Sequence, residues 1–358
     1  MTTRFPFLRA VTLAGLAAVG LAVSLAGGAG AAQQGVAAAN PIDDAAPAWS
    51  PDGKTIAFAS RTEPDSGPTP WQIYTVKANG GARRALTHGS LDSIDLAWSP
   101  DGKKIAFSRV AGGQVISSGH VYVMNATGGS LKRVSSGGGG YDELFDWSPD
   151  GTMLAFDRIT DGVGSIFTMN AGGTNLHELT PSQNDDDYWG VWSPDGKKIA
   201  FDRTGPSAFG DIWVMNADGS KQRKLTTSPA NDFASAWSPD NRRIAFESNR
   251  TGRYQIYVMP AGGGPQTRVT HSASDAGEPH WSPDGTKILF QQQVGGNYQV
   301  FVANANGTGQ RQLTNVAYDN TDAAWSPDGK QIAFLTTRNG GDDVYVMNAD
   351  GSGQHKIA

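Results

Sequence analysis

The 358-residue chain contains no cysteine. Disulfide bonds, thiolate zinc sites, iron–sulfur clusters, cysteine nucleophiles and a lipidated N-terminal cysteine are therefore excluded. Charge is also sparse, because only 18% of residues are charged and 34 acidic residues outnumber 29 basic ones. No basic run occurs, so we expect no nucleic-acid partner and no attraction to an anionic membrane surface.

Catalytic motifs are missing as well. The sequence has no G-x-S-x-G elbow, no H-E-x-x-H pair, no P-loop and no glycine-rich fingerprint that opens a helix. Glycine, in contrast, is abundant, with 46 residues, about twice its average share. This composition favours turns and short strands over long helices.

The N-terminal segment differs from the rest of the chain. Arg4 and Arg9 precede an uncharged run of small and apolar residues, Ala10 to Ala32. This order, followed by an A-x-A pattern at residues 29–31, is typical of a secretory signal peptide. Residues 37–39 form a second A-x-A pattern, and the run is also long enough to remain uncleaved as a membrane anchor.

We predict a signal peptide over residues 1–31 and a short linker over residues 32–40. The mature protein is expected to be exported, either to the extracellular space or to the periplasm and cell envelope. After cleavage of the leader, we expect a monomer with no integral membrane segment.

A repeat fills the remainder of the chain, residues 41–358. The string Trp-Ser-Pro-Asp occurs seven times, at spacings of 44 to 49 residues. The repeat tryptophans are Trp49, Trp98, Trp147, Trp192, Trp237, Trp281 and Trp325. Each repeat has four segments with strand character, which in the fourth repeat are DYWGVWSPDG, KKIAFDR, DIWVMNADGS and KQRKLT. Pro-Asp-Gly and Asn-Ala-Asp-Gly supply turn chemistry between the apolar strands.

A four-stranded sheet of about 45 residues cannot bury both of its faces alone, so neighbouring sheets must stack around an axis. We therefore predict an all-β fold, a seven-bladed β-propeller of four-stranded antiparallel blades over residues 41–358. A six-bladed ring with one displaced repeat is the alternative.

The motifs WSPDGKKIAF, VMNADG and a terminal LT resemble the TolB-type, WD40-like propeller repeat. The resemblance covers everything after the leader and implies the propeller fold. TolB itself resembles a six-bladed propeller behind a separate α/β domain, whereas this chain has seven repeats and a short linker. The resemblance therefore implies the fold more strongly than the function.

The repeated residues are predicted to be structural. Seven tryptophans at one register fill the wedges between blades, and the serine and aspartate of each Trp-Ser-Pro-Asp string satisfy amides of the turn. Strand order places these turns on one rim and the loops after the second and fourth strands on the opposite rim, here called the variable rim. Variable loops on a rigid scaffold commonly carry binding sites.

Charged residues recur on the variable rim. An aspartate precedes every repeat tryptophan by five or six residues, and an arginine follows the second strand in six repeats. We predict a structural Asp–Arg latch in each such blade, with an acidic ring that attracts cations or metal as the alternative. The aspartates are Asp44, Asp92, Asp142, Asp187, Asp232, Asp275 and Asp319, and the arginines are Arg61, Arg109, Arg158, Arg203, Arg250 and Arg338.

Aromatic residues outside the repeat pattern form the predicted ligand-binding surface. Three residues before the third-strand aromatic, three repeats carry Trp71, Tyr254 and Tyr298, whereas others carry glycine or an aspartate. With Tyr188 and Trp189, these side chains suit stacking on sugars or gripping a peptide. Packing of the same rings against their own loops is the alternative.

One histidine is a candidate functional residue inside the predicted ring of blades. His280 precedes a repeat tryptophan and is predicted to face the central channel, with Asp146 at the same register of another blade. Seven-bladed oligogalacturonate lyases resemble this chain at the repeat level, and the resemblance implies a manganese site of several histidines and a glutamine. No such cluster is visible here, so we predict no metal, no cofactor and no catalytic residue.

Taken together, these patterns favour an exported, non-catalytic propeller whose variable rim binds an envelope or extracellular protein, peptide or glycan. A carbohydrate-active lyase or hydrolase is the alternative. It would require converging ionisable groups that the sequence does not display.

Overall fold

The computed structural model describes residues 42–62, 69–111, 118–137, 139–181, 185–205 and 209–358. The predicted signal peptide and linker lie outside these ranges. Within them, no helix has the length and apolar character that a membrane span requires.

The described residues form 28 strands, four in each sequence repeat. In chain order they are β1 (Ile42–Trp49), β2 (Thr55–Thr62), β3 (Gln72–Lys77), β4 (Arg84–Ala85), β5 (Leu91–Trp98), β6 (Lys104–Ala111), β7 (Gly119–Asn125), β8 (Lys132–Arg133), β9 (Tyr141–Trp147), β10 (Met153–Thr160), β11 (Val163–Asn170), β12 (His177–Glu178), β13 (Asp186–Trp192) and β14 (Lys198–Thr204). They continue with β15 (Gly210–Asn216), β16 (Arg223–Lys224), β17 (Asp232–Trp237), β18 (Arg243–Ser248), β19 (Gln255–Pro260), β20 (Thr267–Arg268), β21 (Ala276–Trp281), β22 (Lys287–Val294), β23 (Asn297–Asn304), β24 (Arg311–Gln312), β25 (Asn320–Trp325), β26 (Gln331–Thr336), β27 (Asp343–Asn348) and β28 (His355–Lys356).

Each set of four consecutive strands pairs antiparallel in sequence order and is called a unit below, numbered one to seven along the chain. The first strand of a unit is its inner strand. Because the strands alternate in direction, the first-to-second and third-to-fourth turns share one rim. The all-β architecture of four-stranded antiparallel sheets is confirmed.

The second strand forms the centre of every unit. Its phenylalanine is fully or almost fully buried and packs near the third-strand aromatic, as Phe58 does with Tyr74 at 6.0 Å between ring centroids. The seven phenylalanines are Phe58, Phe107, Phe156, Phe201, Phe246, Phe290 and Phe334. Apolar residues on both faces of a central strand are expected where sheets stack on both sides.

Five units are separate sheets, whereas units two and three join into one sheet of eight strands. The joint is a single parallel pairing of Gly119 with Tyr141. Glycine permits it, because a Cβ at position 119 would lie 2.4 Å from the Tyr141 ring.

The hydrophobic clusters lie between units. One cluster combines Trp49 and Phe58 of unit one with Leu335 and Val344 of unit seven. Five repeat tryptophans also donate an indole N–H to a carbonyl of the preceding unit, as in Trp98 Nε1 to the Ala48 oxygen at 3.1 Å. The tryptophans thus pack and bond across the junctions.

The chain closes on itself through the first and last units. Strand β1 contacts β25, β26 and β27, just as each later inner strand contacts the first three strands of the unit before it. Trp49 Nε1 donates to the Ala324 oxygen at 3.1 Å, and the Asp44 amide donates to the Asp342 oxygen at 2.8 Å. In the described part of the chain, each end keeps its own four strands, so this closure uses no exchanged strand.

Candidate functional site

Inner strands of six units surround a cavity of about 390 Å³. Trp49, Trp98 and Phe145 provide part of its apolar wall. Pro51, which belongs to a Trp-Ser-Pro-Asp turn, also lines the cavity. The cavity therefore reaches the Trp-Ser-Pro-Asp turn of unit one.

Carboxyl groups dominate the polar lining of this cavity. They come from units two, three, six and seven: Asp95, Glu143, Asp146, Glu278 and Asp322. Among the described residues that line the cavity there is no lysine and no arginine, and His280 is the one basic side chain. The cavity is consequently a region of negative potential inside low-dielectric walls, which focus such a field.

The inner strands bring these acids to the cavity through β-bulges. The pairing register shifts beside Asp95, Glu278 and Asp322, and each of the three has a positive φ, of 53°, 55° and 49°. Bulges re-aim side chains and are common near functional sites. In unit three the shift falls one residue later, between Leu144 and Asp146.

A second layer of acids lies behind the bulges. Three second-strand carboxylates accept hydrogen bonds from the bulge amides of the next unit: Asp157 from Trp189 at 3.1 Å, Asp202 from Ala234 at 2.9 Å and Glu247 from Glu278 at 3.3 Å. All three are buried, and burial raises the pKa of each well above its usual range. For Asp157 and Glu247, a neighbouring cavity carboxylate, Glu143 or Glu278, raises the pKa further.

The two predicted channel residues both line the cavity. His280 and Asp146 come from units six and three, and one Asp146 carboxylate oxygen accepts the Trp147 amide at 2.7 Å. In the described ranges, no group of three or more histidine, cysteine, aspartate or glutamate side chains is arranged to hold a metal ion.

Of the five predicted ligand-binding aromatics, Trp189 lines the cavity. Its ring lies 6.4 Å from those of Tyr188 and Phe233, centroid to centroid. Trp71 instead packs with Ile94 and Val110 of unit two.

Tyr254 and Tyr298 occupy the same register as Trp71 in other units. Their amides donate to Asp275 and Asp319 of the following unit, at 2.8 and 2.7 Å. Tyr254 is only 8% exposed, and Tyr298 is half-buried. The backbones at Tyr254 and Tyr298 are thus bonded to the following unit.

In three other junctions the earlier unit has glycine at the register of Trp71, and the following unit supplies the aromatic ring. A Cβ added at Gly119, Gly164 or Gly210 would meet the ring of Tyr141, Tyr188 or Phe233, the last at 1.8 Å. We call these six aromatics the junction rings: Trp71, Tyr141, Tyr188, Phe233, Tyr254 and Tyr298. The junction of units seven and one has Asp342 at the register of Trp71, Ala45 at that of Tyr188 and Asp43 at that of Tyr141.

The predicted Asp–Arg latch forms in units three, four and five. Asp142 with Arg158, Asp187 with Arg203 and Asp232 with Arg250 have closest N–O distances of 2.7, 2.6 and 3.0 Å.

In unit one the latch prediction is wrong. The strand register sets Ser60 opposite Asp44 and Arg61 opposite Asp43, so Arg61 bonds Asp43 at 3.2 Å. Asp44 pairs with Arg83 at 2.9 Å instead.

The other predicted latches also have different partners. In unit two the register sets Arg109 opposite Ser93, and Arg109 donates to the His88 oxygen at 2.6 Å. In unit seven Arg338 donates to Thr336 and Gln354, each at 3.2 Å.

The turn motif behaves as predicted. In every repeat the serine hydroxyl donates to the aspartate two residues later, at 2.5 to 2.7 Å, as Ser50 does to Asp52. That aspartate also accepts a backbone amide, such as that of Lys54. These bonds lower the pKa of the seven aspartates. The motif is structural: its serine is buried, and its aspartate lies at the surface.

The cavity acids at the bulges were missed at the sequence level. Asp95, Glu278 and Asp322 each lie three residues before a repeat tryptophan, a shared register that could have pointed to them. No glycine stands there to signal a positive φ, the usual sequence marker of a bulge.

Comparison with known proteins agrees with this architecture. The family model described as the TolB beta propeller domain matches residues 29–189, 190–293 and 273–358. The fold defines a β-propeller protein. More specifically, the chain belongs to the TolB β-propeller domain family. No match was found among curated proteins.

Solved structures of several proteins are similar. One assigned as TolB in Agrobacterium tumefaciens is 25% identical, with a TM-score of 0.53, over 75% of this chain and 94% of that chain. An oligogalacturonate lyase from Vibrio parahaemolyticus is 14% identical, with a TM-score of 0.67, over 84% and 88%. The propeller domain of the Trilobed protease from Pyrococcus furiosus is 14% identical, with a TM-score of 0.66, over 88% and 98%.

Proposed function

We propose that this protein is an exported, non-catalytic, seven-bladed propeller that binds a cationic segment of a protein or peptide of the cell envelope in its central cavity. The acid lining of the cavity is the observation that carries the proposal. The seven units are the proposed blades, because each inner strand contacts the unit before it and β1 contacts the seventh.

Charge complementarity argues for a cationic ligand. Five carboxyl-bearing residues and no lysine or arginine line the cavity in the described structure. A lysine or arginine side chain entering it would gain charge-assisted hydrogen bonds, which are about twice as strong as neutral ones. The ring of Trp189, also in the lining, can add a cation–π contact.

The same charges argue against the lyase alternative. A galacturonate oligomer is a polyanion, and it would meet carboxylates of its own sign in the cavity. Like-charge juxtaposition costs several kcal/mol in such a setting. The similarity to the lyase, at 14% identity, supports the fold alone.

Amide variants of two bulge acids test the proposal. Asp95→Asn and Glu278→Gln remove charge from units two and six while keeping side-chain size, and asparagine tolerates the positive φ at position 95. We expect each to weaken binding of a lysine nonapeptide to the mature chain by about tenfold, since hydrogen bonds to charged groups contribute about 1.5–3 kcal/mol. Fluorescence anisotropy of a labelled peptide measures this.

Asp161→Asn is the matched control. Asp161 is exposed in the β10–β11 hairpin, has a φ of 53°, and is not among the cavity-lining residues. Its loss removes one charge from the molecule without touching the cavity. Equal weakening by the control and the cavity variants would show that net charge, rather than the cavity, attracts the peptide.

A further inference from the structure

The junction between units seven and one differs from the other six. It has no junction ring, because Asp342, Ala45 and Asp43 occupy the three registers that carry one elsewhere. The backbones approach closely here, since a Cβ at Gly341 would lie 2.3 Å from the Ile42 oxygen. The Asp44 amide bonds the Asp342 carbonyl at 2.8 Å across this junction.

Four carboxyl groups act electrostatically on the Asp342 carboxyl. Asp43 and Asp44 approach from β1, Asp322 from β25 and Asp319 from the segment before β25. Burial, followed by these neighbours, raises the pKa of Asp342 from 3.8 to about 6.

The nearby cations are bonded to other carboxylates. Arg61 bonds Asp43 at 3.2 Å, and Arg83 bonds Asp44 at 2.9 Å. Lys356 bonds Asp343, the next residue along the chain, at 2.6 Å. None of these three bonds neutralises Asp342.

We propose that the junction of units seven and one is a pH-sensitive clasp, closed while Asp342 is protonated and opening locally when Asp342 is ionised. Ionisation adds a negative charge next to four carboxyl groups, which lie on both sides of a junction that lacks a ring. The clasp adjoins the cavity, because residues 46–49 of unit one and 322–324 of unit seven line the cavity. The inference requires no ligand and stands independently of the proposed function.

The direction of the pH effect follows from the raised pKa. Protonated Asp342 is favoured in the closed junction, so its contribution to closure is fully present below the ordinary value of 3.8. That contribution is lost as the pH rises through about 6. The junction is therefore tightest in mild acid and looser at neutral pH.

Hydrogen exchange followed by mass spectrometry tests the clasp. The measured quantity is the protection of β1 relative to β5, an inner strand whose junction has the Trp71 ring, after correction for intrinsic exchange. Between about pH 5 and about pH 7.5 we expect this ratio to fall about tenfold in the wild-type chain, since one pKa unit corresponds to a factor of ten.

Asp342→Asn should make the ratio independent of pH, whereas the exposed-charge control Asp161→Asn should behave as wild type. A wild-type ratio that does not change with pH overturns the proposal, whether or not the Asp342 variant folds. Persistence of the pH dependence in Asp342→Asn also overturns it, because the titrating group would then lie elsewhere.

Discussion

Asp202, a buried acid behind the cavity wall, has two opposed effects on the stability of the folded protein. One Asp202 oxygen accepts the Ala234 amide at 2.9 Å and so satisfies a bulge that would otherwise leave a buried donor. The other oxygen is buried without a hydrogen-bond partner. Burial raises the pKa of Asp202 well above its usual range, so the folded protein favours the neutral acid.

Asp202→Asn should therefore stabilise the protein at neutral pH. The amide oxygen can keep the bond to Ala234, and no ionisation has to be suppressed. Because the folded pKa is raised, the contribution of Asp202 to stability is present in acid and is lost as the pH rises. We expect a gain of at least about 1.4 kcal/mol at pH ~7, the equivalent of one pKa unit, in urea unfolding.

The same variant should change little in acid, below the ordinary aspartate pKa of about 4. Asp161→Asn, at an exposed hairpin, controls for loss of one surface charge. Identical pH profiles for the two variants would contradict the assignment of a neutral acid at position 202.

At the scale of elements, each of six junctions contains one aromatic ring contributed by either side. Gly210 and Phe233 illustrate the exchange, because a Cβ at position 210 would lie 1.8 Å from the Phe233 ring. In the reverse arrangement the earlier unit carries Tyr254, and the following inner strand has Gly277 at the register of Phe233. The rings are thus part of the packing that holds neighbouring units together.

Gly210→Ala should destabilise the protein by about 1–3 kcal/mol, the usual cost of overpacking. Phe233→Ala should also destabilise it, because a partly buried ring is lost. In the Phe233→Ala background the Gly210→Ala substitution should cost much less, which thermal unfolding of the four proteins in a double-mutant cycle measures.

Gly262→Ala is the matched control, because a Cβ there has no atom within 4 Å and the backbone φ is not positive. It should leave stability nearly unchanged. Additive effects of the Gly210 and Phe233 substitutions would show that the Phe233 ring does not occupy the space that a Cβ at position 210 needs.

The sequence allowed the elements to be predicted because their signals are local. Proline and aspartate after each repeat tryptophan, followed by glycine in six repeats and by Asn241 in the fifth, set a turn. The structure contains that turn in each repeat. The alternation of strands around it followed from the apolar pattern alone.

Contacts between strands could not be predicted in the same way. Asp44 and Arg61 have suitable types and spacing, yet the register places them on neighbouring, non-opposed positions. Since a shift of one residue reverses the face of a strand, composition cannot decide such a pair. The cavity acids were hidden for a related reason, because a bulge without glycine leaves no clear mark in the sequence.

At the scale of the whole molecule, repetition and variation have separate roles. The repeated residues build turns, junctions and cores, whereas the residues at the bulge register differ from unit to unit. That register holds Asp95, Trp189, Glu278 and Asp322, all of which line the cavity. The proposed binding chemistry therefore depends on a position of the inner strands that is not fixed by the repeat.

The most direct test of this account is calorimetric titration of the mature chain with an arginine nonapeptide and, separately, with a galacturonate oligomer of similar length. We expect saturable binding of the peptide that weakens as salt is added, as exposed ionic contacts do, and no binding of the uronide. Binding of the uronide in preference to the peptide, or its shortening during the titration, would contradict the account and support a carbohydrate-active enzyme.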